Sequence, residues 1–256
     1  MSSALKIKNL NFSYSTESVL CNINLDISES ETLILLGPNG SGKSTLLKCM
    51  LGILPFSEGS IECFGKALQQ YSRSELSKKI CFVPQLSAIN TGFLARDYIA
   101  LASTPYLKFY ESPSKVVYQK IDEYATEFNA SNLLNRSMLE LSGGEQQIVS
   151  IIKALVQDSP IIVLDEPTSA LDYGNQGRFL EYVKKLQSFN KTIIMSSHNP
   201  NHALLLNCNI CVLKNKTISY YGNANDIINE QMLTEVYGGA YEIVQCANGL
   251  KNSVWK

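Results

Sequence analysis

One nine-residue segment has the residue types and spacing needed to hold phosphate groups. It satisfies G-x-x-x-x-G-K-[ST] and consists of Gly37, Pro38, Asn39, Gly40, Ser41, Gly42, Lys43, Ser44 and Thr45. Glycines let backbone N–H groups wrap phosphates, and a helix that follows adds partial positive charge at its N-terminus. Lys43 would then reach the β- and γ-phosphates of a nucleotide, and Ser44 would ligate Mg²⁺.

A second candidate group is a pair of neighbouring carboxylates, Asp165 and Glu166, which follow the apolar run 161–164. Ligands bind at the carboxyl ends of strands in open α/β sheets, so Asp165 can complete a Mg²⁺ coordination sphere there. Adjacent carboxylates raise each other's pKa unless a cation or different roles separate them. This favours Asp165 on the metal and Glu166 as the base for water. Taken without the phosphate loop, both could equally be solvated acids after a strand.

A third group lies at the predicted start of a helix. Ser142 and Glu145 have the S-x-x-E spacing of a capping box, and Gly143 and Gly144 between them leave backbone N–H groups exposed. The segment is therefore a candidate second anion site, although a plain helix start explains the same pattern.

The elements that position these groups indicate an α/β fold. The run 32–36 is continuously apolar, as in a strand covered on both faces, and a helical pattern follows from Ser44 to about Leu51. The β-rich runs 161–164 and 192–195 are separated by a predicted helix near 175–188, which implies a parallel α/β core. Alternating patterns predict antiparallel strands within 5–8 and 23–27.

The middle of the chain has mainly helical patterns. Apart from the strand 80–83, we predict helices over about 95–103, 114–128 and 144–157. The C-terminal part reads as strands 210–213 and 217–220 and one helix near 224–236.

Composition excludes several classes of protein. The 256 residues carry 22 Lys+Arg and 23 Asp+Glu, and this formal charge of −1 argues against a nucleic-acid-binding protein. Apolar runs are far shorter than the roughly 18 residues that a membrane span needs. The N-terminus lacks the layout of a secretory signal, so we expect a cytosolic chain.

The seven cysteines are odd in number and scattered, which favours reduced thiols over a disulfide framework. Cys208 and Cys211 form one C-x-x-C, but no second pair or nearby histidine completes a zinc set. We therefore expect buried free thiols there.

Taken together, the motifs resemble one family. The phosphate loop, LSGGE at 141–145, LDEP at 164–167, the segment 169–172 and the isolated His198 have the order seen in ATP-binding-cassette (ABC) ATPases, the nucleotide-binding subunits of ABC transporters. The resemblance covers the chain from Leu5 to about Gly238. It implies a P-loop NTPase core with an antiparallel β subdomain, formed by 1–85 and 158–256, and an inserted helical subdomain over 86–157, with ATP and Mg²⁺ as cofactors.

The resemblance also implies roles for residues whose chemistry alone says little. Tyr14 resembles the aromatic residue that stacks on adenine. Gln85 resembles the glutamine that senses Mg²⁺ and the attacking water and contacts the membrane partner. His198 resembles the γ-phosphate switch, and Glu166 resembles the catalytic base.

Two further segments imply a second subunit. Ser142, Gly143 and Gly144 resemble the signature loop that binds the γ-phosphate of ATP held by another copy, and Asp172 resembles a contact across that interface. We therefore expect an ATP-sandwich homodimer that works with integral-membrane permease subunits, and indirectly with a substrate-binding protein, at the cytoplasmic face of the membrane.

Three short segments of the sequence resemble those of ATPases from one subgroup of importers. The segments 171–176, 197–203 and 233–238 are similar to those of ATPases that serve importers of iron-siderophore complexes, haem, cobalamin and related metal chelates or oxyanions. Asn199 departs from the pattern, since the family usually has Asp there. The alternatives are an ABC exporter ATPase and a cytosolic ATP-dependent regulatory ABC protein without a permease.

Overall fold

A computed structural model describes residues 2–56, 58–85, 91–245 and 251–256. The chain divides into two compact units, one formed by Met1–Gln70 with Thr192–Lys256 and the other by Tyr71–Lys191. The helical subdomain predicted over 86–157 falls within the range of the second unit, and its residues 86–90 lie outside the described residues. The second unit also contains residues before and after that range.

The strands of the described residues are β1 (Ser3–Tyr14), β2 (Glu17–Ser28), β3 (Thr32–Leu36), β4 (Glu58–Cys63), β5 (Lys66–Ala67), β6 (Ile80–Val83), β7 (Ile161–Leu164), β8 (Thr192–Ser196), β9 (Asn209–Lys214), β10 (Thr217–Asn223), β11 (Tyr241–Gln245) and β12 (Lys251–Trp255). The α-helices are α1 (Lys43–Met50), α2 (Arg73–Ser77), α3 (Ala95–Ala100), α4 (Lys115–Glu127), α5 (Gly143–Gln157), α6 (Tyr173–Gln187), α7 (Pro200–Leu206), α8 (Ala224–Ile227) and α9 (Glu230–Tyr237).

The first unit contains an antiparallel sheet with the strand order β2-β1-β4-β5. Apolar residues of β1 and β2 face each other in register, with Ile7 opposite Leu25 and both buried. At the neighbouring position, Lys6 is opposite Asp26 and forms a 3.0 Å ion pair with it on the exposed face. This alternation of buried and exposed positions confirms the two antiparallel strands that the sequence predicts.

The first unit also holds four strands in the order β10-β9-β3-β8. Strand β3 runs parallel to β8 and β9, and its five residues are all buried, as the continuous apolar run predicts. Leu35 is in register with Ser196, and the Ser197 N–H donates to the Leu35 carbonyl oxygen over 3.0 Å. The phosphate loop after β3 and His198 after β8 therefore leave the sheet from neighbouring strand ends.

In the second unit, β6 and β7 pair in parallel, with Val83 in register with Leu164. Gln85 and the pair Asp165–Glu166 therefore follow neighbouring strand ends. Helix α5 has a mostly buried face that includes Val149, Ile152 and Leu155, which confirms its predicted amphipathic pattern.

Several boundaries differ from the sequence-based prediction. The helix predicted over 95–103 is α3 followed by a 3-10 helix, Leu101–Tyr106. The single helix predicted near 224–236 is wrong, because the chain breaks into α8 and α9. Ile228 is extended between them, and the Asn229 side chain accepts a hydrogen bond from the Met232 N–H to cap the second helix.

The last strand is attached to α7 of the same unit. The Asn201 side chain accepts hydrogen bonds from the N–H and the hydroxyl of Ser253, both over 2.7 Å, and donates to the Ser253 carbonyl oxygen over 3.0 Å. Three hydrogen bonds to one side chain fix the position of α7 against β12.

Candidate functional site

The phosphate loop begins where β3 ends, and its first residue must be glycine. Gly37 has φ +149°, and a Cβ on it would lie 2.4 Å from the Leu213 carbonyl oxygen and 2.7 Å from Ser41 Oγ. Gly42 has φ +101° and precedes α1 as its N-cap. These two positions explain why the chain can turn from a buried strand directly into a helix here.

Lys43 lies inside this loop. It is only 4% exposed, and its ammonium group donates to the carbonyl oxygens of Gly37 and Pro38 over 2.9 and 3.1 Å. The Ser41 hydroxyl is also buried and has no hydrogen-bond partner among the described residues. A buried hydroxyl without a partner is costly, so the loop is suited to a ligand rich in acceptor oxygens.

His198 lies in the turn that follows β8. Its side chain is exposed, whereas Ser197 before it is 2% exposed. Tyr14, at the end of β1, is 47% exposed and packs edge-on against Phe12 with ring centroids 4.9 Å apart. The first unit thus places the phosphate loop and His198 at neighbouring strand ends.

In the second unit, Asp165 and Glu166 follow β7. Asp165 is 5% exposed, and its N–H donates to the Val83 carbonyl oxygen over 3.0 Å. Glu166 has φ +40°, a left-handed conformation that residues with a side chain adopt rarely and at a cost of about 1–3 kcal/mol. The turn therefore holds Glu166 in a strained backbone conformation directly after the buried aspartate.

Ser169 connects two residues that the sequence singles out, a link that sequence reasoning missed. Its hydroxyl accepts a 3.0 Å hydrogen bond from Gln85 Nε2 and donates to the Glu166 carbonyl oxygen over 2.9 Å. Gln85, Ser169 and Glu166 therefore form one hydrogen-bonded chain. A serine three residues after Glu166 offers no periodicity by which the sequence could reveal this role.

The predicted capping box at the start of α5 is confirmed. The Ser142 N–H donates to Glu145 Oε2 over 2.8 Å, and the Glu145 N–H donates to Ser142 Oγ over 3.4 Å. The hydrogen bond from the Ser142 backbone is the main cause that lowers the pKa of Glu145, and Arg136 contributes through a 2.8 Å ion pair. Glu145 therefore remains charged while it caps the helix.

Asn175 links the signature segment to Asp172, and sequence reasoning also missed this residue. A Cβ on Gly144 would lie 3.2 Å from the Asn175 side chain, so the two segments are in close contact. Asp172 caps α6 by accepting from the Asn175 N–H over 2.9 Å and from its side-chain amide over 2.7 Å. The first of these hydrogen bonds is the main cause that lowers the pKa of Asp172.

A cavity of about 340 Å³ lies beside the signature segment. Its lining includes Ser142 and Gly144, the cation Arg178, and Gln147. Gln147 is 1% exposed, and its amide nitrogen and oxygen have no hydrogen-bond partner in the described part of the chain. The cavity therefore brings a positive charge and free hydrogen-bonding capacity next to the predicted second anion site.

The remaining features are the possible metal-binding groups, the cysteines and the apolar helices. No cluster of three or more His, Cys, Asp or Glu among the described residues could hold a metal ion. Cys208 and Cys211 are buried, as expected, and burial raises the pKa of each thiol to about 12. Cys246 lies outside the described residues. Within the described ranges, no helix is long and apolar enough to cross a membrane.

A buried strand, a glycine-rich loop with a buried lysine and a helix, in that order, define a P-loop nucleotide-binding protein. Comparison with known proteins narrows this class, because the model of the family "ABC transporter" matches residues 20–169. The chain belongs to the ABC transporter family, and within that family it is an ATP-binding, ATP-hydrolysing subunit.

Individual relatives match over nearly the whole chain. An ABC transporter ATP-binding protein of Haemophilus influenzae is 35% identical over 240 residues, which cover 94% of this chain and 91% of the relative. The hemin import ATP-binding protein HmuV of Shewanella denitrificans is 32% identical over 239 residues, 91% of this chain and 92% of the relative. An inward-facing ABC transporter assigned to the metal-chelate type superposes with a TM-score of 0.86 at 28% identity, covering 100% of this chain and 98% of that chain.

Proposed function

We propose that this chain hydrolyses ATP to power the import of a metal chelate, such as an iron-siderophore complex, haem or cobalamin, or of a related oxyanion. The observation that carries the ATPase part is the phosphate loop, where Gly37 leaves room that a Cβ would fill and the buried Ser41 hydroxyl has no partner among the described residues. The similarity to a hemin import subunit and to a transporter of metal-chelate type supports the choice of substrate class.

Residues of the loop would bind the nucleotide. The backbone of Gly37–Thr45 would surround the phosphates, Lys43 would pair with the β- and γ-phosphates, and Tyr14 would stack on the adenine. Ser44 and Asp165 offer the hydroxyl and carboxylate oxygens that Mg²⁺ prefers, and Mg²⁺ commonly takes its remaining ligands from phosphates and water. When bound, the ion would neutralise negative charge on the phosphates.

Glu166 is the proposed general base. Its carboxylate would take a proton from water as the water oxygen bonds to the γ-phosphorus, while the bond from that phosphorus to the bridging oxygen of ADP breaks. Gln85 would orient this water, and its hydrogen bond to Ser169 supports such a role because it restrains the side chain near Glu166. His198 would contact the γ-phosphate from the turn after β8.

The signature segment would act on ATP held by a second copy of the chain. Ser142, Gly143 and Gly144 would contact the γ-phosphate of that nucleotide, and Asp172 would contribute to the interface. The cavity with Arg178 beside Ser142 supports an anion contact on this surface. Closing and opening of the homodimer at the cytoplasmic face of the membrane would drive the permease subunits. A substrate-binding protein would deliver the substrate to these permease subunits.

The test uses the complete complex. The chain is co-expressed with the membrane and binding proteins encoded beside its gene, purified in mild detergent and reconstituted in vesicles. ATPase activity and uptake are then measured with an iron-siderophore complex, haem, cobalamin and molybdate as separate arms. We expect one arm to stimulate ATP hydrolysis several-fold and to show ATP-dependent uptake, both lost in Lys43→Ala.

Three results would contradict the proposal. Outward movement of substrate would indicate an exporter, and co-purification with a soluble partner but no permease would indicate a regulatory protein. Stimulation by none of the four substrates, in a complex that hydrolyses ATP, would overturn the proposed substrate class.

A further inference from the structure

His202 is a buried histidine to which neither the motifs nor the resemblance assigns a role. It is 3% exposed and lies in the first turn of α7. Its Nδ1 atom is 2.9 Å from the hydroxyl oxygen of Ser197, which is itself 2% exposed. A hydrogen bond between two buried side chains, one of them next to His198, constrains the turn that carries His198.

The Ser197 hydroxyl is at the centre of this turn. It accepts a 3.0 Å hydrogen bond from the N–H of Asn199, so that the bond spans His198. The Ser197 N–H is in turn bonded to the Leu35 carbonyl oxygen of β3. The backbone on both sides of His198 is therefore held through one serine, and that serine depends on His202 for its remaining short contact.

In the contact between Ser197 and His202, the serine hydroxyl is the donor and the imidazole is the acceptor. The hydroxyl has one proton and two possible acceptors, His202 Nδ1 at 2.9 Å and the Asn199 carbonyl oxygen at 3.4 Å. The shorter contact is the better hydrogen bond, so the hydroxyl donates to Nδ1 and the imidazole carries its own proton on Nε2. Burial, followed by the charge of His198, lowers the pKa of His202 to about 4, which keeps the ring neutral and able to accept at pH 7.

The helix that carries His202 is itself fixed. Asn201, the residue before His202 in this helix, makes three hydrogen bonds to Ser253 of β12. The Asn199 side chain caps the same helix by accepting from the Asn201 N–H over 3.0 Å. His202 is thus a rigid support for Ser197.

We propose that His202 is a positioning residue for ATP hydrolysis: by accepting the Ser197 hydrogen bond it fixes the turn 197–199 and so the placement of the His198 side chain. This inference rests on the proposed role of His198 at the γ-phosphate. A displacement of about 1 Å in a catalytic group costs up to about 100-fold in rate, so a support of this kind has a measurable effect on turnover.

The experiment is a double-mutant cycle with a matched pair at position 202. His202→Phe keeps a ring but removes the acceptor, whereas His202→Asn keeps an amide oxygen near the position of Nδ1. Each is made in the natural chain and together with His198→Ala, and Ser197→Ala provides a second route should His202→Phe not fold. The measurements are kcat and KM for Mg-ATP, with circular dichroism to confirm folding.

We expect His202→Phe and Ser197→Ala to lower kcat about tenfold with little change in KM, and His202→Asn to retain most of the rate. Neither loss should appear in the His198→Ala background, because both act through His198. An equal loss in both backgrounds would make His202 merely structural and overturn the inference, as would unchanged kcat in His202→Phe. Full activity of His198→Ala would instead refute the proposed role of His198, and the inference with it.

Discussion

Gln85 donates a hydrogen bond to Ser169 over 3.0 Å, and the same serine hydroxyl donates to the Glu166 carbonyl oxygen over 2.9 Å. The residue proposed to orient the attacking water and the residue proposed to deprotonate it are therefore joined through one exposed hydroxyl. The strained φ of Glu166 makes this link important, because Ser169 also restrains the turn that carries this proposed base.

Ser169→Ala should slow turnover without weakening ATP binding. Loss of one hydrogen bond costs about 1 kcal/mol, which corresponds to about a fivefold lower kcat if Gln85 must be held for the reaction. Steady-state kinetics of Mg-ATP hydrolysis measures this. The matched control is Ser188→Ala, since the Ser188 hydroxyl also donates to the carbonyl oxygen three residues earlier but lies at the end of α6. Equal kcat in the two variants would contradict the proposed link.

Glu166→Gln should trap an ATP-bound dimer. The amide cannot accept the proton of water, so we expect kcat to fall by about 10²- to 10⁴-fold while ATP binding is retained. Size-exclusion chromatography with light scattering in saturating Mg-ATP should show a mass near twice the 28.4 kDa of the chain. Glu181→Gln on the exposed face of α6 is the control. Normal turnover in Glu166→Gln, or a monomer under every condition including the assembled transporter, would rule out this mechanism.

Gly37→Ala should abolish ATP binding. The added methyl group would clash with the Leu213 carbonyl oxygen at 2.4 Å, in addition to the cost of a left-handed backbone, so the loop must move. Gly65→Ala is the matched control, because Gly65 has φ +74° but a Cβ there has no atom within 4 Å. It should lose only about 1–2 kcal/mol of stability. Binding of a fluorescent ATP analogue distinguishes the two, and retained affinity in Gly37→Ala would argue against the loop geometry.

His202 should make stability depend on pH in a defined window. Its pKa is lowered from 6.5 to about 4, so the unfolded chain binds the proton more readily. The contribution of neutral His202 to the free energy of unfolding is on the order of 3 kcal/mol. It is fully present above pH 6.5 and is lost as the pH falls towards 4. Urea midpoints measured between pH 4 and 8 for the natural chain and for His202→Asn give the difference. The two curves should diverge with rising pH, and parallel curves would contradict burial of a neutral imidazole.

Cys208 and Cys211 should be inert in the folded protein. With burial raising both pKa values to about 12, almost no thiolate forms at pH 8. Alkylation followed by mass spectrometry should label these two residues only after denaturation. Elemental analysis should find no zinc, and a stoichiometric zinc ion that Cys211→Ser removes would show that the C-x-x-C is a metal site.

The sequence predicts the parts of this molecule that depend on local chemistry. The phosphate loop follows from its glycines and from the apolar strand before it, and the capping box of Ser142 follows from its spacing to Glu145. Strand β3 is correctly predicted because its residues are buried on both faces, which leaves a continuous apolar run.

What the sequence does not reveal depends on contacts between distant segments or on very short elements. Helix α7 is missed because seven residues starting at Pro200 are too few for a periodic pattern, and its cap is visible only when the Asn199 side chain is seen to bond. Ser169 and Asn175 likewise act through single hydrogen bonds to Gln85 and Asp172, which no hydrophobic pattern encodes.

The role proposed for His202 extends to the C-terminal strand β12, because three hydrogen bonds between Asn201 and Ser253 connect that strand to α7. A chain trimmed at Lys251 would expose the Asn201 amide to solvent and free the helix that supports Ser197. Residues 251–256 should therefore be kept intact when this subunit is shortened, labelled or immobilised, and another attachment point should be chosen.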